Sequence, residues 1–151
     1  MWKSIFITTF IAGTLDITAA CVDAYLSAKI TPDIVLKYVA SGFFGKSAFA
    51  GGLGMMMVGL LFHFIIAFAC TIIYFWLYPK MSFLKQNIAL SSVLIGITAW
   101  FVTTIIIIPM SQITPNPFNF YKALIAVIIL VVCIGFPIAY FAKRFFNSMM
   151  A

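Results

Sequence analysis

Residues 52–78 read GLGMMMVGLLFHFIIAFACTIIYFWLY, an apolar stretch with no Asp, Glu, Lys or Arg and one imidazole, His63. A helix crosses a bilayer with about 20 predominantly apolar residues, because the hydrocarbon core is ~30 Å thick and each helical residue rises ~1.5 Å. This stretch is long enough. Three others have the same character: Ser4 to Ala28, Ile88 to Met110 and Ala123 to Ala142. The expected fold is therefore all-α, an integral membrane four-helix bundle forming one transmembrane domain, residues 1–151.

Composition agrees. Of 151 residues 65% are hydrophobic and 8% charged, against about 25% charged in a soluble domain. Lipid must act as solvent for the surplus. The net charge of +6 comes from eight lysines and Arg144 set against Asp16, Asp23 and Asp33. The cations stand singly near the ends of the apolar stretches, where they anchor helices at headgroups, so no nucleic-acid partner is expected. The lipid bilayer is the expected partner. An even number of spans places both termini on one side. Lys3, Lys80, Lys85, Lys143 and Arg144 then oppose Lys29, Lys37, Lys46 and Lys122, which favours cytoplasmic termini by the positive-inside rule.

The first stretch resembles a signal peptide in outline, since Lys3 precedes it and Thr18-Ala19-Ala20-Cys21 resembles a lipoprotein cleavage site. Asp16 interrupts its apolar core and Thr18 matches that site poorly, so it is expected to be retained. Cys21, Cys70 and Cys133 form no CxxC pair, and neither a zinc site, a disulfide framework nor a cofactor is expected.

Between the first two spans, Thr31-Pro32-Asp33 is a helix start signal. A short interfacial helix from Pro32 to about Ser41 is expected, broken at Ser41-Gly42, with Gly51-Gly52 turning the chain into the second span. Pro115 and Pro117 forbid a continuous helix between the third and fourth spans. Pro137, inside the fourth, is expected to kink it or free a backbone carbonyl.

Candidate functional residues are the ionisable groups inside the spans, Asp16, Asp23 and His63, because a charge at mid-membrane costs about 2.5–3.5 kcal/mol. At about 100° per residue the first helix gathers Thr9, Ala12, Gly13, Asp16, Ala19, Ala20, Asp23 and Ser27 on one face. The second gathers Gly59, His63, Ala67, Cys70 and Tyr74. Small residues let helices approach closely, so Gly13 and Gly59 are expected to bring these two faces together. Counted along their helices, Asp16 and His63 both fall near mid-membrane, and a hydrogen bond or ion pair between them is the sharpest contact expected. Structural pairing is the plainer reading of it, and a proton relay or ligand site the functional one. Asp23 lies about 10 Å beyond Asp16 at ~1.5 Å per residue. That offset argues against a carboxylate dyad, and no metal site is expected.

Gly13-Thr14-Leu15-Asp16, the run Ala40-Ser41-Gly42-Phe43-Phe44-Gly45, and Leu61-Phe62-His63-Phe64-Ile65-Ile66-Ala67 resemble a group of small, uncharacterised bacterial membrane proteins with four predicted spans. Pro109-Met110-Ser111 and Gly135-Phe136-Pro137-Ile138-Ala139 fit the same pattern. The resemblance implies a bacterial inner-membrane location and no particular chemistry. Such proteins often carry a His early in the fourth span, where this chain has only Ile128 to Val132. Three functions compete. The first is a non-enzymatic bundle, alone or as a homo-oligomer, whose polar centre holds a lipid or hydrophobic ligand. The second is an oligomeric channel or proton-coupled transporter using Asp16, Asp23 and His63. The third is a membrane-embedded enzyme acting on lipid, which ranks last because no catalytic residues are evident from spacing.

Overall fold

The computed structural model describes residues 1–108 and 119–150, with side chains to residue 148. Pro109-Met110-Ser111, the expected end of the third span at Met110, and the breaks at Pro115 and Pro117 lie outside the described residues. Among those described there are helices and turns and no strand. In order they are α1 (Trp2–Ala28), α2 (Pro32–Phe44), α3 (Ser47–Ala50), α4 (Leu53–Leu77), α5 (Ser82–Gln86), α6 (Ile88–Phe101), α7 (Phe120–Leu130) and α8 (Phe136–Met150). A π-helical segment, Val102–Ile107, continues α6, and a second, Val131–Gly135, joins α7 to α8. Among the described residues four helices are thus long and apolar enough to cross a membrane: Trp2–Ala28, Leu53–Leu77, Ile88–Ile107 and Phe120–Ser148.

Inside lipid a backbone or hydroxyl group finds no water, so polar side chains must be satisfied locally. Thr8 donates to Ser4 O, Thr18 to Thr14 O, Thr71 to Ala67 O and Ser92 to Ile88 O, each one turn back. Asn87 Oδ1 accepts from Ala89 N at 2.8 Å and opens α6, while Asn119 Oδ1 accepts from Lys122 N at 3.0 Å and opens α7. At the other ends, Lys29 takes a left-handed φ of 57° and its N–H closes α1 on Ala24 and Tyr25 carbonyls. The Lys29 ammonium lies 5.2 Å from the Tyr25 ring centre, and that of Lys80 3.1 Å from Trp76, pairing cation and aromatic at two helix ends.

α1 packs between α4 and the fourth span, and α6 packs along the fourth span. The α1–α4 register is set by stacked rings, Phe6 on Phe68 at 5.0 Å and Phe10 on Phe64 at 6.1 Å. As α1 advances four residues α4 retreats four, so the two are antiparallel. The small-residue face of α1 is turned inward, with Thr9, Ala12 and Gly13 buried, and Phe10, Val22 and Tyr25 outward. Leu61, Ile65, Trp76, Ile97, Ile105 and Val132 complete an exposed apolar exterior suited to acyl chains.

Gly13 and Gly59 do not meet. A Cβ on Gly13 would lie 2.7 Å from the Phe64 ring and 3.5 Å from Ala67 Cβ, so Gly13 does admit α4. Gly59 instead faces α2, where a Cβ would run into the Leu36 carbonyl. The α2 backbone at Leu36 and Ala40 is what covers Gly59, and the helix also does not stop at Ser41-Gly42. Ser41 is buried with its hydroxyl on Tyr38 O at 2.7 Å, and the helix runs on to Phe44, ending at Gly45 with φ 59°. The added turn gives α2 a second contact with α4, through Phe44 stacked on Phe62 at 6.5 Å. Gly59→Leu should therefore destabilise the protein by about 2 kcal/mol through overpacking. A lower melting temperature in detergent is the expected readout, and an unchanged one would show that α2 is free to move off.

α2 starts as its sequence suggests, with Thr31 extended and Pro32 in the first turn. The Thr31 hydroxyl serves Asp33 rather than the helix backbone. That bond, with Lys37 Nζ 3.8 Å away, holds the exposed Asp33 carboxyl below the usual carboxylate range.

Proline explains the second π-helical segment. Pro137 has no N–H for the Cys133 carbonyl, and the turn before it widens across Val131–Gly135. The first π-helical segment falls in Val102-Thr103-Thr104-Ile105-Ile106-Ile107-Ile108. Every residue of that run is branched at Cβ, which crowds a regular α-helix.

Candidate functional site

All four spans and α2 line one partly open space. A cavity of about 220 Å³ is lined by Asp16 from α1, Tyr38 and Gly42 from α2, His63 and Cys70 from α4, Thr103 from the first π-helical segment and Ile134 from the second. Small residues hollow it out: Ala67 and Ala99 are on its wall. Its lining is mostly apolar, with Asp16 and His63 the ionisable carboxylate and imidazole within it.

The imidazole is held by the backbone. His63 Nε2 lies 2.8 Å from Gly13 O. A carbonyl oxygen only accepts, so Nε2 is the donor and carries a proton; in the neutral ring Nδ1 is then an acceptor. Gly13 allows this bond because it lets α4 close in. The bond to Gly13 O takes the place of the direct Asp16–His63 contact expected from depth. The stacked phenylalanines set the register so that His63 is level with Gly13, three residues or ~4.5 Å before Asp16. Side chains on a helix lean towards its N-terminus, which brings the Asp16 carboxyl back towards that level. The two groups share the cavity and are near enough for the charge of one to act on the other. Asp16 also lies within electrostatic reach of Cys70 and Cys133, which places it between α4 and the fourth span.

Asp23 is elsewhere. It lines a separate groove of about 630 Å³ where the end of α1, the start of α2, the end of the third span and the start of α7 come together. Lys122 and Trp100 share that groove. Tyr38 and Ile108 line both spaces, so the groove and the central cavity adjoin across these two side chains. Among the described residues no group of His, Cys, Asp or Glu is arranged to hold a metal ion.

Several lining residues escape a reading of spans alone. Tyr38 and Gly42 belong to α2, which sequence places at the interface; their four-residue spacing on one helical face was the available signal. Thr103 lies in a π-helical segment, where the regular helical period that would reveal an inward face is lost. π-Helical turns are rare and occur frequently at functional sites, and here both border the same cavity.

The chain matches no family model, no curated protein and no solved structure.

Proposed function

We propose that this protein is a non-enzymatic membrane protein that binds a lipid or other hydrophobic molecule in the central cavity. The observation that carries the reading is an apolar cavity, walled by all four spans, in which a carboxylate and an imidazole converge. Apolar walls with a few placed polar groups are the usual composition of a small-molecule site. Asp16 and His63 would orient a polar group of the ligand, with Nδ1 accepting and the Asp16 carboxyl available as the second contact. The bilayer is the source of the ligand. By resemblance the membrane is the bacterial inner membrane, and the distribution of Lys and Arg supports cytoplasmic termini.

A cavity-filling variant tests this. Ala99→Leu projects into the space from α6, whereas Leu61→Ala alters only the exterior. Purified from the same membranes and analysed by mass spectrometry, the Ala99→Leu protein should retain at least about tenfold less lipid than wild type, the effect of losing roughly 1.4 kcal/mol of binding. Equal retention in folded Ala99→Leu protein would end the central-cavity reading.

A second reading, proton-coupled transport, draws on the adjoining spaces. Asp23, Tyr38, Asp16 and His63 stand in succession from the groove to mid-bundle. Proton flux in liposomes that is lost in Asp16→Asn would favour it over simple binding.

A further inference from the structure

We propose that the groove at the end of the bundle holds the headgroup of a phospholipid bearing a primary ammonium, with an acyl chain passing Tyr38 and Ile108 into the central cavity. The proposal rests on the central-cavity reading for the chain and adds the chemical class of the ligand.

Three observations support it. The first is a census of charge. The chain has three acidic residues; Asp33 pairs with Lys37 at 3.8 Å, and Asp16 lines the other cavity. Asp23 and Lys122 face the same groove, and among the described residues neither is in an ion pair. One carboxylate and one ammonium facing a common space without reaching each other are complementary to a zwitterion.

The second is the helix ends. Asp23 and Ser27 sit near the C-terminus of α1, where the macrodipole is negative and favours a cation. Lys122 sits in the first turn of α7, where its ammonium and the positive end of the helix dipole favour phosphate, the Lys122 N–H itself being taken by Asn119 Oδ1. The groove is thus polarised twice in the same sense. Asp23 and Ser27 offer acceptor oxygens, which suit an ammonium with N–H donors; a trimethylammonium has none. An anionic glycerol headgroup would leave Asp23 unpaired.

The third is continuity. The groove wall includes Ile34, Trp100 and Ala126, and its boundary with the central cavity is Tyr38 and Ile108. A soluble zwitterion uses none of this apolar surface, whereas a lipid uses all of it.

The test is competitive binding to the full-length protein in detergent by native mass spectrometry. The probes are dioleoyl phosphatidylethanolamine, phosphatidylcholine and phosphatidylglycerol, with soluble phosphoethanolamine as a fourth arm. The ethanolamine lipid should bind about tenfold more tightly than the other two, the size of one charge-assisted contact. Asp23→Asn should abolish that preference, and Lys122→Gln, an exposed position where the fold is not at stake, should weaken the ethanolamine lipid by about the same factor. Equal binding of the three lipids, or a preference unchanged in both variants, would overturn the proposal. Displacement of bound lipid by phosphoethanolamine at equal concentration would also overturn it, by making a soluble zwitterion the ligand. If headgroup preference persists in Ala99→Leu with undiminished affinity, the groove site stands and the central-cavity reading falls.

Discussion

Replacing Gly135 by leucine is expected to cost about 3 kcal/mol or more and to leave little folded protein on extraction into detergent. The third and fourth spans touch backbone to backbone here. A Cβ on Gly135 would strike the Ser92 carbonyl, with its carbon at 2.9 Å and Ser92 Cα at 3.1 Å. The contact is reciprocal, since a Cβ on Gly96 would lie 2.7 Å from both N and Cα of Val131. Overpacking usually costs about 1–3 kcal/mol, and the upper end applies because the obstacle is main chain, which no rotamer change can move. The alternative is for the spans to separate, and that would unseat Ile134 and Leu130 from the cavity wall. Gly135→Ala should fall between wild type and leucine. A melting temperature unaffected by either change would mean that the third and fourth spans are not packed this way.

The second large effect concerns His63. His63→Leu removes the bond to Gly13 O and also the imidazole that shares the cavity with Asp16. Gly13 O keeps its helical bond and loses little. The penalty is that of a lost buried hydrogen bond and of a polar partner withdrawn from the cavity beside Asp16, about 1–3 kcal/mol. Asp16→Asn should be milder, because an amide carries no charge and still offers a donor and an acceptor. The double variant should be more stable than the sum of the single losses predicts, with a coupling energy of about 1–2 kcal/mol in a double-mutant cycle on thermal or denaturant unfolding. Strict additivity would show that Asp16 and His63 act independently.

The spans were legible because their signal is length and apolarity, which survive any detail of packing. The inward face of α1 was legible for a related reason: Thr9, Ala12, Gly13 and Asp16 are small or polar in a helix that otherwise presents Phe10, Leu15 and Val22 to lipid. Partners were harder to read. Gly59 and Gly13 look interchangeable in sequence, and only the packing of α2 at Leu36 and Ala40 against α4 decides that Gly59 serves α2. Depth counted from helix starts put Asp16 beside His63, but register is fixed by the fit of side chains, here Phe6 with Phe68 and Phe10 with Phe64. The fourth span was expected from Ala123 to Ala142, whereas Asn119 caps it earlier and the helix long enough to span runs Phe120–Ser148. Asn119 was readable as a cap; the pairing of Lys122 with the Asp23 groove was not, because it depends on which helix ends lie together.

These placements bear on function through one space. The cavity exists because Gly13, Ala67 and Ala99 hold helices close while two π-helical segments and α2 interrupt regular packing around it. Photolabelling tests its occupancy most directly. A phospholipid carrying a diazirine partway along its acyl chain would be incorporated into membranes containing the protein, irradiated, and the labelled residues located by peptide mass spectrometry. Occupancy of the cavity predicts adducts on α4 at His63, Ala67 and Cys70, on the face turned into the bundle, and their loss in Ala99→Leu. Adducts confined to the exterior of the same helix, at Leu61, Ile65 and Ile73, would contradict it.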